Sequence, residues 1–303
     1  MYEKFYGFTE KPFALTPDPA FLFLGGRHAV GLSMLQYGLL NRAGLIVLTG
    51  AIGTGKTTLV RRLLDETDDS MTIGLISNTH EAFGSLMQWI AVAFSLSAKS
   101  SKASQYDKFA RFLIDQYAKG KRCVLVVDEA QNLSTKALEE LRLLTNINAD
   151  KDLLLQIVLV GQPELRDRLR SPALVQFVQR IGADFHLSAL GPGETEKYIE
   201  HRLVTAGGQA GLFEAAATRF IHFQCGGVPR LINSLCDTAL VYGFASGEMK
   251  ISAALVFDLV RERIAAGLFA AVGAAFEAPD AEQALAAARE NLARACDDLG
   301  AAA

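Results

Sequence analysis

Apolar runs recur through the first 190 residues, at 45–48, 71–76, 123–127 and 153–160, with a short and more polar one at 183–187. Runs of this length without polar alternation suit strands of a parallel sheet covered on both faces. Between them lie stretches whose apolar positions repeat every three or four residues. The spacing predicts helices over 28–41, from residue 59 onward, over 83–94 with the single Trp89, ending near Lys119, and over 134–146. Leu138, Leu141, Leu144 and Ile147 fall on one face of the last of these. Ser171-Pro172 supplies an N-cap serine and a first-turn proline for a further helix running to Arg180. Alternation of this kind argues for an α/β domain over residues 44–189, a parallel sheet flanked by helices. From residue 190 the pattern turns wholly helical, with candidates at 194–206, 214–224, 229–244 and 252–264 separated by glycine-containing turns. Residues 190–265 are therefore expected to form a small all-α domain.

The two ends follow neither pattern. Residues 1–43 carry Pro12-Phe13, Pro17-Asp18-Pro19 and Phe21-Leu22-Phe23-Leu24 before the first helix. Prolines at this density disfavour regular structure, so an aromatic-rich loop and a helix packed on the α/β core are expected. The tail, 266–303, is rich in alanine, with Pro279-Asp280 as a helix start and Leu285, Leu292 and Leu299 at seven-residue spacing. That is enough for a short partner-binding or self-docking helix or for a loosely ordered tail, and too short for a convincing coiled coil.

Composition narrows the setting. The chain has 303 residues, half of them hydrophobic, enough for about two domains. A net charge of -3 gives no general attraction to nucleic acid or to an anionic membrane. The four cysteines, Cys123, Cys225, Cys236 and Cys296, show no metal-ligand spacing and are expected to be reduced and buried. No basic segment followed by an apolar run opens the chain, and the weakly charged stretch 264–276 is too short to span a bilayer. The expected location is the cytoplasm, with peripheral association at the inner membrane left open.

The chemistry centres on Gly50-Ala51-Ile52-Gly53-Thr54-Gly55-Lys56-Thr57-Thr58, placed between the first strand and a helix. G-x-x-x-x-G-K-T in that context is a phosphate-binding loop: glycines let backbone N–H groups turn inward, and the helix dipole faces the same anion. Lys56 would reach the β- and γ-phosphates of ATP, and Thr57 would place its hydroxyl on Mg2+. The third strand ends in Asp128-Glu129, where Asp128 would hold the magnesium and Glu129 would accept a proton from the attacking water. Gln162 follows the fourth strand, placed to orient that water or contact the γ-phosphate. Gly226-Gly227-Val228-Pro229-Arg230 fixes Arg230 at a helix N-terminus, a poor place for a cation unless an anion is near.

Taken with Ala130-Gln131, Val160-Gly161-Gln162-Pro163-Glu164-Leu165 and Gln179-Arg180-Ile181, residues 1–265 resemble the AAA+ ATPases. More narrowly, they resemble the ExeA, or general secretion pathway protein A, group. The resemblance implies a five-stranded sheet in the order 5-1-4-3-2, a helical lid, and ATP bound between them. It assigns Lys56 and Thr57 to Walker A, Asp128 and Glu129 to Walker B, Gln162 to sensor 1 and Arg230 to sensor 2. Arg180 is the candidate arginine finger, with Arg166, Arg168 and Arg170 as rivals, which would require a homo-oligomeric ring or filament. Proteins of this group typically continue into a membrane span and a peptidoglycan-binding domain, which this sequence does not show. The function implied is ATP hydrolysis that drives assembly or remodelling of a secretion, pilus or polysaccharide export apparatus, with a protein partner. The alternative is a DNA-bound regulator that recruits a transposase, supported by the basic clusters at 119–122 and 166–170. A nucleotide-controlled switch with little turnover is a third class, and Glu129 speaks against it.

Overall fold

In the computed structural model the apolar runs form one parallel sheet in the order β2-β3-β6-β1-β7. The structure describes residues 1–77, 79, 84–97, 102–149, 152–266 and 281–300. The strands are β1 (Leu45–Gly50), β2 (Met71–Ile76), β3 (Arg122–Val127), the short hairpin pair β4 (Asn148–Ala149) and β5 (Asp152–Leu153), then β6 (Leu155–Gly161) and β7 (Ile181–Leu187). Counting the five sheet strands alone, this is the expected order 5-1-4-3-2. Leu153 belongs to the hairpin, so the fourth sheet strand starts two residues later than its apolar run. Every residue of β1 and β6 is buried, which is why their sequence shows no alternation. At the sheet edge β7 alternates burial and exposure and carries polar side chains.

The described residues fall into two compact units. One comprises Arg27–Ile52 and Lys56–Ser188, the α/β part. Its sheet is covered by the helices Gly26–Leu40, Lys56–Asp65, Leu86–Ala93, Lys102–Ala118 and Thr135–Leu144. Leu138, Leu141 and Leu144 are buried as their spacing requires. A polar residue inside the β6 run, Gln156, is buried and donates its amide to the carbonyls of Gly38, Leu39 and Ala43 at 3.1–3.3 Å. Its amide N–H groups are thereby satisfied by the carbonyls at the end of a helix. The helix expected from Ser171 to Arg180 is instead a 3-10 turn, Pro172–Leu174, followed by the single turn Val175–Val178. Pro163–Leu169, opening on the proline after Gln162, is the longer helix of this stretch.

The other unit comprises Met1–Gly26, Gly53–Gly55 and Ala189–Ala303. Its helices are Pro192–Thr205, Ala215–Cys225, Pro229–Ser246, Ala253–Ala265 and Ala281–Gly300. The first 26 residues therefore belong with the helical part, not with the α/β core on which the sequence placed residues 1–43. The reason is aromatic: Tyr2, Tyr6, Phe8, Phe13 and Phe21 are buried in one cluster with the helical core. Tyr2 donates its hydroxyl to Asp237, and Tyr6 donates to the Glu248 carbonyl at 3.0 Å. Buried Arg202 donates to the carbonyls of Pro12 at 2.6 Å and Ala14 at 3.2 Å, and its guanidinium lies 4.6 Å from the Phe21 ring centre. The tail helix is also packed here, and Ala284, Ala288, Asn291 and Ala295 form its buried stripe. Leu285 and Leu292 are only half-buried, one position round from that stripe, while Pro279, Asp280 and the Leu299 side chain lie outside the described residues. Cys123, Cys225 and Cys236 are free and buried, but Cys296 is free and exposed on the outer side of the tail helix. No helix among the described residues is long and apolar enough to cross a membrane.

Candidate functional site

The chain leaves β1 at Gly50 and re-enters a helix at Lys56 through a loop that needs positive φ at Gly53 (78°) and Gly55 (98°), which glycine adopts without a steric penalty. Ile52 lies exposed on that loop and Thr54 is buried. The Lys56 side chain is buried and folds back on its own loop, its Nζ donating to the carbonyls of Gly50 at 2.8 Å and Ala51 at 2.9 Å. Burial pushes the lysine pKa down, opposed by the nearby carboxylates of Glu129, Asp128 and Glu164. The site is thus a buried cation among acids. Thr57, one residue further into the helix, donates its hydroxyl to Asp128 Oδ2 at 2.9 Å. Thr58 follows it, half-buried.

Asp128 and Glu129 stand just past β3, and the Asp128 N–H donates to the Ile76 carbonyl at 2.8 Å as a last rung of the ladder. Glu129 then turns into the left-handed region at φ 53°. Its N–H donates to Asp128 Oδ1 at 2.9 Å, and its carbonyl accepts from buried Thr79 Oγ1 at 2.8 Å. On the side chain, Oε2 accepts from Gln131 Nε2 at 2.5 Å and from Gln162 Nε2 at 3.2 Å. Gln131 Oε1 accepts from the Gln162 backbone N–H at 3.0 Å. Lys56, Thr57, Asp128, Glu129 and Gln162 are therefore connected by short contacts or near charges in one unit, as their motifs required. Gln131 and Thr79 complete the set. Sequence reading quoted Gln131 without a role and missed Thr79, whose only signal is a polar residue shortly after an apolar strand.

Five candidate arginines remain. Arg180 is exposed just before β7 and donates to Thr145 Oγ1 at 3.2 Å. Of its rivals, Arg168 donates to the Leu133 carbonyl and Arg170 pairs with Asp167 at 3.2 Å. Arg166 lies near enough to His186 to help Arg27, Lys56 and, above all, burial hold that imidazole below its ordinary pKa. In the helical unit, Arg230 is exposed in the first turn of Pro229–Ser246, and its N–H donates to the Gly53 carbonyl at 3.2 Å.

Residues 40–169 match the AAA domain family. The chain is 42% identical over 253 residues to general secretion pathway protein A of Aeromonas hydrophila, covering 83% of this chain and 46% of that protein. It thus spans about half the length of this curated relative. Among solved structures it is similar to Cdc6p of Pyrobaculum aerophilum, with a TM-score of 0.63 at 17% identity over 86% of this chain and 71% of that one. The Aeropyrum pernix ORC2 protein, solved as ADPNP-ADP complexes, gives a TM-score of 0.61 at 16% identity over 86% and 79%. At such identities these structures speak for the fold.

Proposed function

This chain is an AAA+ P-loop protein related to general secretion pathway protein A, and from that premise we propose that it binds ATP with Mg2+, hydrolyses it, and couples the reaction to assembly or remodelling of an envelope secretion or export apparatus. The observation that carries the ATPase reading is the contact of Thr57 with Asp128 beside the buried Lys56 and the Glu129–Gln162 pair.

The donor set fits both groups. Lys56 has only loop carbonyls as hydrogen-bond partners among the described contacts, so a triphosphate gives it a better acceptor. Thr57 and Asp128 place a hydroxyl and a carboxylate together, hard oxygen donors suited to Mg2+. When bound, Mg2+ would neutralise charge on the phosphates. Glu129 takes the proton of the attacking water as its oxygen bonds to the γ-phosphorus and the bond to the β–γ bridging oxygen breaks, leaving ADP and phosphate. Gln162, hydrogen-bonded to Glu129, orients that water, and Arg230 serves the phosphates as sensor 2.

The export role rests on the relative and on the net charge of -3. Steady-state ATPase and nucleotide-affinity measurements on the wild type, Lys56→Ala and Glu129→Gln test the chemistry. Lys56→Ala should lose ATP binding, and Glu129→Gln should bind ATP normally and hydrolyse it only at a small residual rate. Normal turnover by Glu129→Gln would remove that residue from the role of base. Rates measured with and without duplex DNA at two salt concentrations test the partner: indifference to DNA is expected, and stimulation that vanishes at high salt would overturn the export reading.

A further inference from the structure

We propose that Gln131 is a positioning residue for hydrolysis, a single amide that aims the Glu129 carboxylate by bridging it to the backbone of Gln162. The inference rests on the ATPase reading and deepens it.

The amide uses both ends. Its Nε2 donates to Glu129 Oε2 at 2.5 Å, and its Oε1 accepts from the Gln162 N–H at 3.0 Å. Gln162 closes the triangle by donating its own Nε2 to the same Glu129 oxygen at 3.2 Å. Both donors therefore converge on Oε2, which leaves Oε1 as the oxygen available to water. Close approach is built in at Gly161, where an added Cβ would lie 3.2 Å from Gln131 Oε1 and 2.8 Å from Leu165 Cδ2. The 3-10 turn Ala130–Asn132 that presents Gln131 is anchored by fully buried Ala130. Its Asn132 N–H donates to the Glu129 carbonyl at 3.0 Å, the same oxygen that Thr79 reaches. Backbone and side chain of Glu129 are thus both determined, the first by Thr79, Asp128 and Asn132, the second by the two glutamines.

A base held in this way transfers a proton without first searching for its orientation, and misplacing a reacting group by about 1 Å can cost about 100-fold in rate. A filler role and a positioning role separate on substitution. Gln131→Ala should lower kcat by about 10- to 100-fold with ATP affinity and melting temperature unchanged. Gln131→Glu keeps the shape and still accepts from the Gln162 N–H, but it cannot donate to Glu129 and sets a second negative charge beside it. It should fall as far as Gln131→Ala. In a Glu129→Gln background, single-turnover rates should show no further loss from Gln131→Ala, because the residue acts through Glu129. Wild-type kcat in Gln131→Glu, or additive losses in the double variant, would overturn the role of Gln131 while leaving the ATPase reading intact. A wild-type chain without turnover would overturn both. If Gln131→Ala lost its fold, Gln131→Glu would carry the comparison.

Discussion

Glu129 is held at φ 53° and ψ 36°, a left-handed backbone that costs a non-glycine residue on the order of 1–3 kcal/mol. Such strain persists where neighbours over-determine it, and here Thr79 and Asp128 grip its carbonyl and N–H. Gly227 solves a comparable problem without strain. Its φ is 70°, and an added Cβ would stand 2.0 Å from the Leu190 carbonyl oxygen, itself adjoining an N–H that donates to Gly227 at 2.9 Å. Gly227→Ala should therefore destabilise the helical unit by at least about 2 kcal/mol, read as a lower urea midpoint. The motif residues were legible because phosphate chemistry needs lysine, hydroxyl and carboxylate at set places along the chain. Thr79 and Gln131 were not, because their value comes from a carbonyl 50 residues away and a backbone N–H 31 residues away.

Among the elements, the five strands of the sheet were legible from their largely apolar runs, and the helices of the helical unit came within two or three residues of their expected ends. The aromatic opening was not, since an aromatic-rich, proline-broken stretch does not say which part of the molecule covers Phe13 and Phe21. Arg202 shows the answer, a buried cation satisfied by the carbonyls of Pro12 and Ala14. Arg202→Leu would leave those acceptors without their donor, and a loss of roughly 2–4 kcal/mol in chemical unfolding is expected. In the tail the docking face is set less by the leucines than by small alanines at 284, 288 and 295, which allow the close approach. Ala288 is fully buried, so Ala288→Asp should detach the helix Ala281–Gly300 and expose it to limited proteolysis while Leu285→Asp, at a half-buried position, should have the weaker effect.

At the scale of the whole molecule, His186, His201 and His222 all have pKa values below the ordinary imidazole value, in each case chiefly through burial. Nearby cations add to it: Arg166, Arg27 and Lys56 for His186, Arg202 for His201 and Arg294 for His222. The folded state therefore prefers neutral imidazoles, and the unfolded chain binds more protons below about pH 6.5. Stability should be full above that value and fall progressively toward pH 5, as measured by urea midpoints. A variant with all three histidines replaced by glutamine should show a shallower decline.

Assembly is the other property of the whole molecule, and Arg180 bears on it. It is exposed and donates to the Thr145 hydroxyl, whereas Arg168 and Arg170 are engaged with Leu133 and Asp167. A guanidinium so placed is available to a neighbouring copy, and a finger acting in trans is worth about three to five orders of magnitude in turnover. Turnover per subunit should then rise steeply with protein concentration. Arg180→Ala and Glu129→Gln should each be nearly inactive alone, for different reasons: one lacks the finger it lends, the other the base it uses. Mixed, an Arg180→Ala subunit with an intact base can sit beside a Glu129→Gln subunit that supplies Arg180, so part of the activity should return. Activity that stays absent at every mixing ratio, while the wild type turns over and the mixed chains still associate, would assign the finger to another arginine, with Arg166 the next to test.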